Sequence, residues 1–296
     1  MFTSPVTREA PLVSLRADIN PLLDKISDTM DWTSADLAAF NIIVQDQDQD
    51  LFFDGPLPDY SGFPGFLESE DVIVPKEFSN SLAIYVKDAR EEMDAEPMSA
   101  EWSFNLFLES LLDFMKYGYK SQHPAHTIVH PGTPVRLVVR NETASTIANV
   151  EVKHIASNLM MLILQHSKTI IKRSDPEAHL IASAIGAFQQ NGRAMVQDLT
   201  GVDLEQRVIL GTTTAEQIIP TFYKIKVTAE LACAVRFGEK PAKQTVVYRH
   251  KARFPKPDED IMTLENRRRL VLYLEGFRKL LEVQCHGWAC PTYCTM

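Results

Sequence analysis

Pro134 to Lys153 reads Pro-Val-Arg-Leu-Val-Val-Arg-Asn-Glu-Thr-Ala-Ser-Thr-Ile-Ala-Asn-Val-Glu-Val-Lys. Two β-rich runs flank a polar centre, which predicts a hairpin: Val135 to Arg140, a turn through Glu142 to Ser145, then Ile147 to Lys153. Side chains alternate along a strand, so Glu151 and Lys153 share one face and Val152 takes the other. An acid and an amine side by side at a strand end can hold a divalent cation and steady an attacking water. The same spacing also makes an ordinary ion pair, and the residues alone leave both readings open.

Working outward, the segment before the hairpin predicts a helix over Ser99 to Tyr117. Ser99 is placed as its cap, and Phe104, Phe107, Leu108, Leu111, Leu112 and Met115 form one apolar stripe. Asn105, Glu109 and Asp113 line the opposite face, and Gly118 marks the stop. Pro131-Gly132 is expected to turn the chain. After the hairpin, Ile155 to Arg173 reads as a mostly apolar helix. Asp175-Pro176-Glu177 opens another, with Leu180, Ile181, Ala184, Ile185 and Phe188 inward and Asn191-Gly192 as its end.

Arg207 to Gly211 and Pro220 to Val227 read as paired strands. Ala229 to Phe237 is a short helix ended by Gly238, Thr245 to His250 a strand, and Thr263 to Gln284 the last helix. This order predicts an α/β (α+β) domain with a mixed central sheet flanked by helices, its core spanning 99–284. Residues 1–98 are expected to be a loosely structured acidic arm and 285–296 a Cys-rich tail.

Composition bounds the class. With 296 residues, 45% hydrophobic and 23% charged, the chain has a globular make-up. Its longest apolar run, near Leu159 to Leu164, is too short to cross a bilayer, so no membrane role is expected. Met1 to Arg16 lacks a charged start followed by an apolar stretch, which makes cytoplasm or nucleus the expected compartment. Residues 1–100 carry 6 Lys+Arg against 20 Asp+Glu, a charge of −14, which leaves +5 of the total −9 on the remainder. The acidic arm is either a solvated face, a mask over a basic surface, or a docking arm for a basic protein partner. Gln45 to Asp50 alternates aspartates, but Leu51 and Leu57 stand where a calcium loop needs Gly and Glu. An acidic surface loop is the reading there. Cys285, Cys290 and Cys294 with His286 match no paired zinc spacing, so a tail with free thiols is expected.

Three segments carry a resemblance: the polar-striped helix with Glu109, the Glu151-Val152-Lys153 strand end, and Val208 to Thr214 followed by Thr221-Phe222-Tyr223-Lys224. Over residues 99 to 280 the chain resembles the PD-(D/E)XK nuclease superfamily, the restriction-endonuclease-like fold. The later stretch from Thr228 to Lys279 is similar as well to uncharacterised fungal proteins with that fold. The resemblance implies an intracellular nuclease-like hydrolase acting on phosphodiesters of DNA or RNA, with magnesium as cofactor. Carried over by position, Glu151 is a metal ligand, Val152 offers its carbonyl, Lys153 is the catalytic lysine, and Glu109 supports the metal through water. The chain departs from the pattern at the first strand, where Pro134-Val135-Arg136 replaces Pro-Asp. No Asp lies between Asp113 and Asp175, and Glu142 is the acidic substitute on the hairpin. An arginine at position 136 repels magnesium and could itself neutralise Glu151. The resemblance therefore leaves two functions: a magnesium-dependent nuclease, or a catalytically inactive member of the fold acting as an interaction or regulatory protein.

Other chemistry-bearing residues have plainer readings. His123, His126 and His130 flank prolines and are read as surface histidines. Ser145 and Ser157 sit in no nucleophile elbow. Arg267-Arg268-Arg269 and the basic residues from Lys224 to Lys256 could meet a nucleic-acid backbone, and are read as a solvated face.

Overall fold

The computed structural model describes residues 32–59, 97–118, 127–154, 159–166, 175–197, 206–214, 219–256 and 263–288. In chain order the elements are α1 (Ser34–Ala39), β1 (Ile42–Asp46), α2 (Gln49–Phe52), α3 (Pro97–Phe114), β2 (Thr127–Val139), β3 (Glu142–His154) and β4 (Leu159–His166). There follow α4 (Pro176–Gln197), β5 (Gln206–Thr214), β6 (Pro220–Thr228), α5 (Ala229–Phe237), β7 (Thr245–Lys251) and α6 (Leu264–Trp288). Among the described residues the strands make one sheet in the order β1-β7-β6-β5-β4-β3-β2. The β4/β5 and β1/β7 pairs are parallel and the others antiparallel, so the expected mixed sheet flanked by helices is what the chain builds.

Two apolar clusters lie on the two sides of the sheet. One gathers α1, α4 and α5; the other gathers α2, α3 and α6. Helix α4 is apolar nearly all round: Ala178, Leu180 through Ile185, Ala187 and Phe188 are buried, with Ser183 among them. A stretch of helix that is apolar nearly all round must be enclosed. The sheet covers it on one side and the far half of the β2–β3 hairpin on another. Val129, before Gly132, belongs to the second cluster, whereas Val135, Leu137 and Val139, after it, belong to the first. Gly132 has φ 63°, and the register is unbroken past it; on β3 the change of cluster falls at the same level, between Val150 and Ala148. Where strand crosses helix, a Cβ on Gly186 would stand 2.9 Å from the Arg136 carbonyl oxygen. Only glycine lets the two backbones approach that closely.

The hairpin is held at its tip. Arg140 and Asn141 form a two-residue loop with φ 52° and 63°, the left-handed pair that matches strand twist. Their N–H groups donate to the Val235 and Arg236 carbonyls at the end of α5, at 3.3 and 2.7 Å. Gln189 seals the outer edge of β2, accepting from Val138 N at 2.7 Å and donating to Val138 O and Ala232 O at 3.1 Å each. Helix α5 takes a cap from Thr228 Oγ1, which accepts from Leu231 N at 3.1 Å, and ends at Gly238 with φ 72°.

Several expectations are corrected. Of the helix expected over Ile155 to Arg173, the described part is a strand: Leu159 to His166 is the fourth strand, apolar from Leu159 to Leu164 because both faces of the sheet are covered there. Pro131-Gly132 lies within β2, and the turn falls at Arg140-Asn141, not at Glu142 to Ser145. Helix α4 continues past Asn191, whose side chain serves β4. Helix α3 begins at Pro97, before Ser99, and ends at Phe114. Residues 32–59, expected in the acidic arm, are part of the core: Trp32, Phe40 and Phe52 are fully buried and β1 pairs with β7. Residues 1–31, 60–96 and 289–296 lie outside the described residues, and with them most of the arm, Cys290 and Cys294. Helix α6 carries Cys285 and His286. No helix is long and apolar enough to cross a membrane among the described residues.

Candidate functional site

The first candidate is the Glu151–Lys153 pair on β3. Glu151 stands between His130 of β2 and Ile163 of β4. Its neighbours Val150 and Val152 enter the second cluster, so alternation turns Glu151 to the α4 side, where Ile163 belongs to the first cluster. The β3/β4 register shifts between Val152 and Lys153. There Asn191 of α4 completes the bonding of Met160, accepting from its N and donating to its O at 2.8 Å each. The C-terminal half of α4 thus covers the strand end that carries the pair.

The spacing brings acid and amine together: Lys153 Nζ lies 2.5 Å from Glu151 Oε1. The environment is not an open cleft. Glu151 is 0% exposed and Lys153 20%. The ammonium reaches Oε1 at ion-pair distance but off the line of a hydrogen bond, and neither carboxylate oxygen has a hydrogen-bond partner. Such a pair is held by charge alone in a low-dielectric setting, an expensive arrangement.

The other assigned residues do not converge on it. Glu109, on α3, is half-buried; burial raises its pKa, Asp113 adds to the rise and His130 opposes it. Helix α3 is fixed to β3 through Asn149, whose Nδ2 donates to Asn105 Oδ1 at 2.8 Å. Glu142 is exposed opposite Val139 at the hairpin tip, nine positions and about 30 Å of strand from Glu151. Val152 is fully buried, between Val129 and Leu162. Arg136 is exposed opposite Ser145 and so does not stand beside Glu151. His130 is exposed; His123, His126 and Ser157 lie outside the described residues.

These donors do not fit magnesium. The ion takes several oxygen ligands in near-octahedral array. Here one carboxylate is present, already paired with an ammonium, and no group of three or more His, Cys, Asp or Glu capable of holding a metal occurs among the described residues.

Two centres were not singled out in the sequence. Arg249 of β7 bridges three elements: Nε and Nη2 donate to Asp46 Oδ1 and Oδ2 of β1 at 2.6 and 3.0 Å, and Nη1 donates to Glu177 Oε2 of α4 at 2.6 Å. The hydrogen bond from Arg249 holds the Asp46 carboxyl below its usual value. Tyr223 joins the network through Thr213 and Glu177, and burial pushes its phenol well up. The second centre is His250, enclosed by Phe52, Phe53 and Tyr273. The arginine run, expected as a solvated face, is divided. Arg267 is 2% exposed and Arg268 is exposed. Arg269 Nη2 donates to Gln49 Oε1 at 2.5 Å while its guanidinium lies 4.8 Å over the Tyr273 ring.

Against known proteins, the chain matches no family model and no curated protein.

Proposed function

We propose that this chain is a catalytically inactive member of the restriction-endonuclease-like fold, acting as an interaction or regulatory protein and not as a cutting enzyme. The observation that carries the reading is the state of Glu151: fully buried on the α4 side of the sheet, with its charge met by Lys153 at 2.5 Å. A phosphodiester cannot approach a carboxylate that no water reaches, and an ammonium already committed to that carboxylate is not free to neutralise a developing charge. The Pro134-Val135-Arg136 departure agrees with this, since it removes the second carboxylate.

The purified chain, incubated with single- and double-stranded DNA and RNA, is expected to give equal backgrounds with magnesium, manganese or chelator. Metal-dependent cleavage that disappears in Glu151→Gln and Lys153→Met overturns the reading. It would favour the alternative, a magnesium-dependent nuclease with nucleic acid as substrate. One observation speaks for that alternative: both Glu151 oxygens lack hydrogen bonds, as a cation ligand's would before the ion binds. It requires a second carboxylate that the described residues do not bring to Glu151.

A further inference from the structure

The segment from Ile42 to Phe53 is joined to the rest of the sheet through β7, and His250 sits at that junction. Its Nδ1 lies 3.1 Å from the Gln47 carbonyl oxygen. A carbonyl can only accept, so Nδ1 carries the proton and Nε2 of the neutral ring is bare. His250 is 5% exposed, and Nε2 is buried with no hydrogen-bond partner. The walls around the ring are aromatic: Phe53 and Tyr273 have centroids 5.5 Å away and Phe52 5.7 Å, while Phe222 is the cross-strand neighbour.

We propose that His250 is an acid-sensitive clasp: with Nε2 bare it holds the 42–53 segment against β7 and α6, and a proton on Nε2 releases that segment.

Protonation would create an N–H donor with no acceptor beside it among the described residues, inside a ring of aromatic faces. The Tyr273 hydroxyl is occupied, accepting from Arg253 N at 3.1 Å and Arg269 Nη2 at 3.3 Å. The charged groups facing the ring act in both directions. Arg253, after β7, and Arg269, on α6, oppose an imidazolium, and Asp48, before α2, favours it. Asp46 of β1 lies within electrostatic range but is engaged by Arg249, and Lys224 of β6 lies 5.2 Å over the Phe52 ring. Two elements of the clasp belong to the segment itself, the Gln47 carbonyl and the Phe52–Phe53 pair. Moving the segment away is therefore what admits water to Nε2.

The sign follows. Burial, the largest influence, holds the docked His250 below the ordinary histidine value. The docked state then binds fewer protons than the released state. Docking is at full strength above the released-state pKa of about 6.5 and weakens as pH falls from there toward the docked value.

The test is amide hydrogen exchange of the full chain from pH 7.5 to pH 5, corrected for intrinsic exchange. The opening constant of amides in 42–53 is expected to rise by up to about tenfold per pH unit below about 6.5, while α4 amides show no such slope. His250→Asn places an amide N–H where Nδ1 stood and cannot titrate; it is expected to remove the slope. His250→Phe is a second non-titrating variant with the same expectation. A flat profile in the wild type, or a slope that persists in both variants, overturns the clasp. If neither variant folds, imidazole nitrogen shifts of the wild type decide. Release on protonation supports the clasp, and a protonated ring in a chain whose 42–53 amides stay protected overturns it.

Discussion

Two acid–base centres lie on opposite sides of the middle of the sheet, and they differ in what satisfies them. Around Arg249, three hydrogen bonds meet in aligned geometry, two to Asp46 and one to Glu177, at a site where Arg249 is 21% and Asp46 62% exposed. At Glu151, a carboxylate with no exposure faces a single ammonium and makes no hydrogen bond. The first joins elements far apart in sequence at modest desolvation cost. The second gains from one close charge and loses the rest of its solvation. An ion pair seen in a sequence motif thus says nothing about its energetics until burial and alignment are known.

The largest test of this contrast is at Lys153. Replacing it with Met leaves the Glu151 carboxylate buried and unpaired, which is expected to cost about 3–5 kcal/mol. Urea unfolding at pH 7 reads the loss. The double variant Glu151→Leu with Lys153→Met is expected to recover most of it, because no charge is then left to desolvate. A lysine held ready for catalysis in open solvent would behave otherwise, its removal costing little stability. A Lys153→Met protein as stable as the wild type therefore breaks the comparison and revives the enzyme reading.

The next effect concerns the enclosure that buries Glu151. A Gly186→Ala side chain meets the Arg136 carbonyl oxygen at 2.9 Å, backbone that cannot step aside without moving the hairpin off α4. A loss of about 1–3 kcal/mol is expected by thermal or urea unfolding, against the usual gain when alanine replaces a helical glycine. A stabilised Gly186→Ala would mean that the hairpin does not lie on the helix.

These same elements mark what the sequence could and could not disclose. The hairpin, α5 with Gly238, and strands β5 to β7 follow from alternation, capping and turn chemistry, all local signals. Leu159 to Leu164 reads as helix from the sequence because an unbroken apolar run has no period to betray it; only the layers on both faces make it a strand. Residues 32–59 read as an arm because their acidic charge masks three anchors: Trp32 and Phe40, which stack on each other, and Phe52, whose partner His250 lies some two hundred positions on. Asp46 with Arg249 and Gln47 with His250 are separated by 203 residues each, beyond any local rule. At the candidate site, spacing foretold that Glu151 and Lys153 would meet, and the meeting occurs. What spacing could not foretell is that α4 would close over them, since that depends on Gly186 and Asn191 acting together.

A smaller effect tests the better-satisfied centre. Arg249→Lys keeps the charge but cannot donate along two parallel lines to Asp46 while also reaching Glu177. A loss of about 1 kcal/mol is expected, discounted because Asp46 is largely solvated and water replaces what it loses. Its pH dependence has a definite sign. The folded Asp46 carboxyl is held below its usual value, chiefly by the Arg249 hydrogen bond. Its contribution is therefore present above the unfolded value of about 3.9 and is lost as pH falls through the folded one. Wild type and Arg249→Lys should differ most at neutral pH and converge below about pH 4, and added salt should narrow the gap more than at the buried pair. The clasp at His250 weakens below about pH 6.5, about two and a half units higher, so the two titrations along β7 separate on the pH axis. If the difference between Arg249→Lys and wild type instead vanishes near pH 6, the strand edge is governed by His250 alone, and the Arg249 bridge contributes only geometry.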